Sequence, residues 1–384
     1  MSKRGGEHPP EAAALWAEFT AWIADLPLPT PREIFTRLGT LGYVGQTDGR
    51  RALALMAHRH VRRLKYLYVE GVARDQLPPK ENHLLVGPTG CGKTFLVELL
   101  FRQVLRLPTA LVDMTTFSET GYVGNDVSTI LTRLLYAAEL NLLQAQVGVV
   151  CLDEFDKLAS GNNRAVFSGA GTTKDVTGIG VQRELLKLLE RSELPIPTEF
   201  DHNTYQQKVF MRTDDIAFVA CGAFSGLKSV LRERGRGPAI GFARPGGEGG
   251  GELLDAIAVA YDVEELEDTT VFQSFGFLPE LMGRFARVVP FAPLDRPTLM
   301  QILREQVIPG RTRELALAGI ELEVGEEVLQ HVVTGALRRQ TGARGLAATL
   351  TRHLEEVTFD ALSEPATRRV AVTLEQGRIR SVRE

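Results

Sequence analysis

Cysteine is scarce in this sequence. Only Cys91, Cys151 and Cys221 occur among 384 residues, far apart and without a CxxC pair. Disulfide-stabilised domains and cysteine-only zinc sites both need clustered cysteines. The sequence therefore argues against both arrangements. It is typical of a protein from a reducing compartment, so we expect a cytoplasmic location.

Long apolar runs and an excess of either charge are also absent. No apolar stretch reaches the roughly 18 residues that a membrane helix needs, and MSKRGGEHPPEAAALW at the start has no long apolar core like that of a signal peptide. Lys plus Arg number 44 and Asp plus Glu number 48, so the net charge is −4. No helix-turn-helix signature is present. We therefore expect no membrane partner and no nucleic-acid partner.

The sequence does contain alternating short apolar runs and helical patterns. Hydrophobic residues make up 44% and charged residues 24%, as in ordinary globular proteins. Strands are predicted at HLLVG, TALVDM, GVVCLDEF and DIAFVACGAF, which begin at His83, Thr109, Gly148 and Asp215. Strands that alternate with helices predict an α/β fold with a parallel sheet flanked by helices.

The same patterns divide the chain into three expected regions. Residues 1–26 form a tail with a short helix, residues 27–293 form a large domain with the sheet, and residues 294–384 form a smaller, mostly helical domain. Thr30 and Pro31 have the residue types preferred at a helix N-cap and first helical position. RRVAVTLEQGRIRSV near the end predicts two short strands.

A phosphate-binding loop is predicted directly after the first strand. GPTGCGKT, residues 87–94, matches G-x-x-x-x-G-K-[ST] and precedes a helical pattern, which is the context this motif needs. Its backbone N–H groups would surround the phosphates of ATP, Lys93 would reach the β- and γ-phosphates, and Thr94 would bind Mg²⁺. The candidate nucleotide-binding residues here are Gly87, Pro88, Thr89, Gly90, Cys91, Gly92, Lys93, Thr94 and Phe95.

Two acidic residues form the second half of the predicted site. Asp153 and Glu154 end the apolar run VVCLDE, and the carboxyl ends of strands are where open α/β sheets bind ligands. Asp153 would help to hold Mg²⁺ and Glu154 would polarise the attacking water. The two motifs together predict an ATPase.

With these motifs placed, the sequence resembles the AAA+ P-loop NTPases, and within them the ClpX family of bacterial protein unfoldases. The resemblance runs from about Leu28 to the C-terminus. It rests on LPTPREI, GYVGQ, LLVGPTGCGKT, GYVGNDV, LDEFDKLA, GVQRELLKLLE, CGAFSGL, IGF, GFLPELMGRF and TGARGL.

The resemblance implies roles for residues outside the two motifs. Tyr43 and Val44 resemble the segment that lines the adenine pocket. Arg284 resembles the arginine finger that a neighbouring subunit inserts toward the γ-phosphate, and Arg344 resembles the sensor-2 arginine. A finger supplied in trans implies a homo-hexamer.

The resemblance also implies a protein substrate and a peptidase partner. Tyr122 and Val123 would line an axial pore and grip an extended polypeptide, and residues 161–180 resemble the second pore loop. Ile240, Gly241 and Phe242 form the IGF tripeptide that docks on a ClpP-type peptidase. The expected function is thus an ATP-dependent unfoldase and translocase.

The sequence departs from the family pattern in three places. Residues 1–26 contain none of the four cysteines of the usual N-terminal zinc domain, and PIPTEFDHNTYQQK from Pro195 has no Arg-Lys-His run. The sensor-1 position is not evident; Ser225 is a weak candidate. HslU, a related unfoldase, carries a large insert for which this chain has no room.

Two other functions are alternatives, of which the first is motivated by the altered N-terminal region and pore entrance. One is a peptidase-independent remodeller dedicated to one protein complex, and the other is a nucleotide-dependent scaffold without catalysis. Intact Lys93, Glu154 and Arg284 argue against the scaffold.

Overall fold

A central parallel sheet organises the first three quarters of the chain. The computed structural model describes residues 10–117, 127–159, 178–190, 193–197, 208–227, 266, 268–364, 367–376 and 378–383. The strands in these residues are β1 (His83–Val86), β2 (Thr109–Asp113), β3 (Val149–Asp153), β4 (Glu193–Pro197), β5 (Lys208–Arg212), β6 (Ala217–Gly222), β7 (Arg287–Pro290), β8 (Glu321–Val324), β9 (Arg369–Glu375) and β10 (Arg378–Arg383). The main sheet has the order β2-β3-β6-β1-β7, and all its neighbours are parallel.

The α/β architecture predicted from the sequence is confirmed, and the main sheet has one strand more than expected. The four predicted strands are β1, β2, β3 and β6, and every residue of the central strand β6 is buried. A strand with helices on both faces needs such a continuous apolar run. The edge strand β7 was not predicted, because its sequence RVVP is short and only partly buried.

Helices cover both faces of this sheet and build the C-terminal region. They are α1 (Pro10–Asp25), α2 (Pro31–Thr40), α3 (Thr47–Tyr68), α4 (Lys93–Glu98), α5 (Thr129–Ala137), α6 (Leu142–Ala145), α7 (Gly178–Leu189), α8 (Thr269–Phe275), α9 (Pro279–Met282), α10 (Arg296–Ile302), α11 (Ile308–Leu317), α12 (Glu326–Arg339) and α13 (Gly342–Ser363). The predicted start of α2 is confirmed: Thr30 and Glu33 form a reciprocal capping box, and Pro31 is the first helical residue. No helix in the described part of the chain is long and apolar enough to cross a membrane.

Alternation along the strands separates two hydrophobic cores. In β1, Leu84 and Val86 face a core with α5, α7 and α8, whereas Leu85 faces a core with α1, α2, α3 and α4. Helix α1 contributes Phe19 and Ile23 to the second core. The sheet is therefore buried on both faces, and its open edge at the strand carboxyl ends is left for a ligand.

The C-terminal region has a core of its own. Helices α10 to α13 pack around it, together with a small sheet of order β10-β9-β8. The two predicted strands, β9 and β10, are confirmed as an antiparallel pair. The third strand, β8, pairs with β9 in parallel and was missed, because ELEV gives too short a pattern.

Candidate nucleotide site

The loop between β1 and α4 can be built only with glycine at several positions. A Cβ atom on Gly87 would lie 2.3 Å from the carbonyl oxygen of Phe291, and one on Gly90 would lie 2.5 Å from that of Thr341. Gly92, just before α4, has a φ of 95°, in the left-handed region. The result is a tight backbone cradle at a helix start, which fits a phosphate chain.

Lys93 is buried inside this cradle. Its Nζ atom donates hydrogen bonds to the carbonyl oxygens of Gly87 at 2.6 Å and Pro88 at 2.9 Å, and only 7% of the residue is exposed. The backbone thus holds the ammonium group at the mouth of the loop. A phosphate oxygen brought into the cradle would gain a fixed cation.

The carboxyl end of β3 lies beside the start of α4. The Thr94 hydroxyl donates to Oδ2 of Asp153 at 2.8 Å, and the backbone N–H of Glu154 donates to Oδ1 at 2.9 Å. The two motifs, 59 positions apart in sequence, are therefore in direct contact. A hydroxyl and a carboxylate are hard oxygen ligands, the donor set that Mg²⁺ prefers, so these side chains fit a magnesium ion.

Glu154 lies at a sharp turn that points its chain away from the strand. Its backbone is left-handed, with φ 53° and ψ 34°, and the 3₁₀ helix Phe155–Leu158 follows. Burial raises the pKa of Glu154, and the neighbouring carboxylates of Asp156 and Asp153 raise it further. The turn thus gathers negative charge at the carboxyl end of β3, where a metal cation would relieve it.

Two segments from distant parts of the chain close over the phosphate loop. Tyr43 is 3% exposed, donates its hydroxyl to the Gly92 carbonyl at 3.1 Å and stacks on Phe95 at 5.9 Å between ring centroids. Val44 packs against the C-terminal core. From the C-terminal region, the Ala343 N–H donates to the Gly90 carbonyl at 3.0 Å. Arg344, the next residue, is exposed.

Arg284 lies near the amino end of β1, whereas the phosphate loop of the same chain follows the carboxyl end of this strand. The N–H of Ala286 donates to the carbonyl of Asn82, which precedes β1, whereas the phosphate loop follows β1. A four-residue strand spans about 13 Å. The guanidinium is 45% exposed and pairs with Glu190 at 2.5 Å. The structure therefore brings Lys93, Thr94, Asp153 and Glu154 together, but not Arg284.

Several predicted site residues lie outside the described part of the chain. They are Tyr122 and Val123 of the pore segment, residues 161–177 of the second pore loop, residues 198–207 of the stretch from Pro195, and the tripeptide Ile240, Gly241 and Phe242. Ser225, the weak sensor-1 candidate, is exposed after β6.

Three bridging side chains were not predicted from the sequence: Asp156 and Gln46 lie near the site, and Asn82 lies near Arg284. Asp156 is 1% exposed and accepts the Ala223 N–H at 3.0 Å, which ties the 3₁₀ helix to the end of β6. Asn82 links the carbonyl of Arg284 to the N–H of Phe218. The Nε2 atom of Gln46 lies 3.4 Å from the carbonyl oxygen of Cys91 in the phosphate loop. Asp156 and Gln46 stand within the quoted stretches LDEFDKLA and GYVGQ, but residue type alone does not reveal a bridging contact.

Comparison with known proteins defines the class first. The family model described as AAA domain (Cdc48 subfamily) matches residues 78–288, and that of the C-terminal, D2-small domain of ClpB protein matches residues 294–372. These matches cover most of the sheet, with its phosphate loop, and most of the C-terminal region. The chain has the AAA ATPase fold, binds nucleotide and hydrolyses ATP.

A relative that matches most of the chain defines the family more closely. The ATP-dependent Clp protease ATP-binding subunit ClpX of Azotobacter vinelandii is 36% identical over 335 residues, which cover 85% of this chain and 73% of the relative. The chain therefore belongs to the ClpX family of AAA+ ATPases, and the resemblance seen in the sequence motifs is confirmed.

Proposed function

We propose that this protein is an ATP-driven unfoldase that works as a homo-hexamer and threads polypeptide through an axial pore. The position of Arg284 carries the proposal. The site has a fixed cation, two side chains that fit magnesium and a carboxylate that could orient the attacking water. The predicted arginine finger of the same chain lies at the amino end of β1, away from these groups. A second copy of the chain would have to supply the finger, as in a closed ring.

Each side chain has one task in the proposed hydrolysis. The cradle N–H groups and Lys93 hold the phosphates, and Thr94 with Asp153 would hold magnesium, which offsets phosphate charge when bound. Glu154 orients the attacking water, and the neighbour's Arg284 stabilises charge in the transition state. Arg344, one residue beyond the contact with Gly90, would report nucleotide state to the C-terminal region.

The work done with ATP is proposed from the family alone. Tyr122 and Val123 would grip the substrate, and Ile240, Gly241 and Phe242 would dock on a ClpP-type peptidase. We place the protein in the cytoplasm. The alternative is a remodeller that serves one complex without a peptidase, which the lack of an Arg-Lys-His run motivates.

A trapping experiment tests the function. Glu154→Gln should bind ATP, assemble and retain substrate with turnover reduced by about 100-fold or more, because water loses its base while the phosphate contacts stay. Glu139→Gln, on the exposed surface, is the control and should turn over normally. The measurements are ATP hydrolysis and mass spectrometry of proteins that copurify from cells with ATP.

The captured proteins decide between the two functions. A ClpP-type peptidase that is lost on Phe242→Ala, together with diverse substrates, supports the unfoldase with a peptidase. One or two abundant partners without a peptidase support the remodeller. Normal turnover by Glu154→Gln would contradict the role of this residue in either case.

A further inference from the structure

The side chain of Gln46 pairs with both backbone groups of one distant residue. Its Nε2 atom donates to the carbonyl oxygen of Ala292 at 2.7 Å, and its Oε1 atom accepts the Ala292 N–H at 3.1 Å. The same Nε2 atom lies 3.4 Å from the carbonyl oxygen of Cys91 in the phosphate loop. A carboxamide has two N–H donors, so one nitrogen can serve both carbonyls. Gln46 therefore joins the loop to Ala292.

Ala292 lies in the short linker between the two matched regions. The AAA domain match ends at residue 288 and the C-terminal match begins at residue 294. The preceding residue, Phe291, donates its N–H to the Val86 carbonyl at 2.7 Å, and its own carbonyl oxygen lies 2.3 Å from the position that a Cβ on Gly87 would take. The linker thus begins directly beneath the phosphate loop.

The turn that carries Gln46 is attached to the C-terminal region as well. The side chain of Gln306 donates to the carbonyl oxygen of Gly42, and a Cβ on Gly45 would lie 3.2 Å from Cγ2 of Thr298. Residues 42–46 therefore contact the phosphate loop on one side and α10 and its continuation on the other. A displacement of the C-terminal region would move this turn.

The backbone of Gln46 is unusual for its residue type. It is left-handed, with φ 50° and ψ 50°, a conformation that glycine adopts without strain. A non-glycine residue held in such a conformation points to a use for its side chain. Here the use is the pairing with Ala292 and the approach to Cys91.

We propose that Gln46 is a positioning residue that couples the phosphate loop to the linker at Ala292, so that nucleotide state at the loop reaches the C-terminal region. A change at the Cys91 carbonyl shifts the Gln46 side chain, which is held to the linker through two hydrogen bonds. The inference rests on the proposed function, to which it adds that the two regions move relative to each other during turnover.

Energy transfer between two fluorophores measures that movement. Dyes on Leu140→Cys and Leu317→Cys, both at exposed positions, report the distance between the regions, while the native cysteines are buried. Labelled subunits are diluted into an excess of unlabelled protein, so that each signal comes from one chain. The protein with Gln46 intact should show different transfer efficiencies with ATP and with ADP.

Gln46→Gly separates a coupling side chain from a mere turn former. It relieves the left-handed backbone but deletes the carboxamide. We expect the nucleotide-dependent change in transfer to be lost and kcat to fall about fivefold or more, with the dissociation constant for fluorescent ATP within about twofold. Gln376→Gly is the matched control, since Gln376 has the same φ of 50° and is exposed beside the turn from β9 to β10.

A second variant guards against a folding defect. Gln46→Glu keeps the size and the oxygen that accepts the Ala292 N–H, but replaces the donor that faces the two carbonyls. It should lose the nucleotide-dependent change as Gln46→Gly does. If either variant keeps the full change and normal kcat, Gln46 does not couple the two regions. If the protein with Gln46 intact shows no change between ATP and ADP, the proposed movement itself fails.

Discussion

At the scale of single residues, the phosphate loop depends on the absence of a side chain at Gly87. A Cβ there would overlap the carbonyl of Phe291, at the junction of β7 and the linker. Neither backbone can retreat freely, because the Phe291 N–H is bonded to Val86 and the Gly87 N–H to the Gly222 carbonyl. The close approach of Phe291 to Gly87 therefore makes the cradle tight and also brings the linker next to it.

Gly87→Ala should accordingly lower the free energy of unfolding by about 1–3 kcal/mol, the usual cost of overpacking, and weaken ATP binding. Gly310→Ala is the matched control. Nothing lies within 4 Å of a Cβ at Gly310, which sits in α11. This change should be neutral or stabilise by about 0.5–1 kcal/mol. Urea denaturation without nucleotide measures both; equal stabilities of the two variants would contradict the packing argument.

At the scale of elements, the sequence predicted most strands and the two motifs that meet at the candidate nucleotide site. Apolar runs identified β1, β2, β3 and β6 because a doubly covered sheet requires them. The pairing of Thr94 with Asp153 followed from two motifs at the carboxyl ends of β1 and β3, between which only β6 lies. The pairing of Gln46 with Ala292 could not be predicted, since 246 positions separate the two residues and no local pattern requires the contact.

Two buried histidines in α3 and β1 give these elements a pH dependence. Burial lowers the pKa of His60 to about 4, and burial with the nearby Arg287 and Arg59 lowers that of His83 to about 4. The unfolded chain, with histidine near 6.5, binds more protons than the folded chain between these values. The stabilising effect of neutral histidine is therefore complete above pH 6.5 and is lost as the pH falls toward 4.

The loss should amount to about 3 kcal/mol for each histidine by pH 4, from 1.36 kcal/mol per pKa unit. His83→Leu should reduce the fall in stability between pH 8 and pH 4, because it removes a titrating group. Nδ1 of His83 is buried without a hydrogen-bond partner, so loss of this atom leaves no other group unpaired. Urea midpoints across this range give the measurement. An unchanged slope would show that His83 is not the titrating group. The pKa of Asp215 is lowered, because the hydrogen bonds from Arg74 and Tyr68 outweigh burial. The stability that this carboxylate contributes is therefore lost at a lower pH than that of the two histidines.

At the scale of the whole molecule, the distance between Arg284 and its own phosphate loop has a consequence for mixed assemblies. The side chain is exposed and paired only weakly with Glu190, since an exposed ion pair contributes at most about 1 kcal/mol. The guanidinium can therefore exchange its carboxylate partner for a phosphate. Its backbone stays fixed by the bond from Asn82 to its carbonyl oxygen. We therefore expect the backbone of Arg284 to stay in place on its own subunit while the side chain turns toward a neighbouring one.

Subunit mixing tests this arrangement directly. Arg284→Ala lacks the finger, Glu154→Gln lacks the water-orienting carboxylate, and each alone should be nearly inactive. A mixed ring places an intact Glu154 from the first variant beside an intact Arg284 from the second. With equal amounts and random order, about one quarter of the interfaces would be complete, so activity should recover toward about a quarter of normal.

The control for this recovery is a mixture of Arg284→Ala with the double variant that carries both changes, which can form no complete interface and should stay inactive. Sedimentation of each mixture with ATP would show that the rings assemble equally. If the finger acted within its own chain, no chain in the first mixture would be complete, and no activity would return. Recovery in the first mixture alone would therefore support the proposal that Arg284 acts at a neighbour's nucleotide.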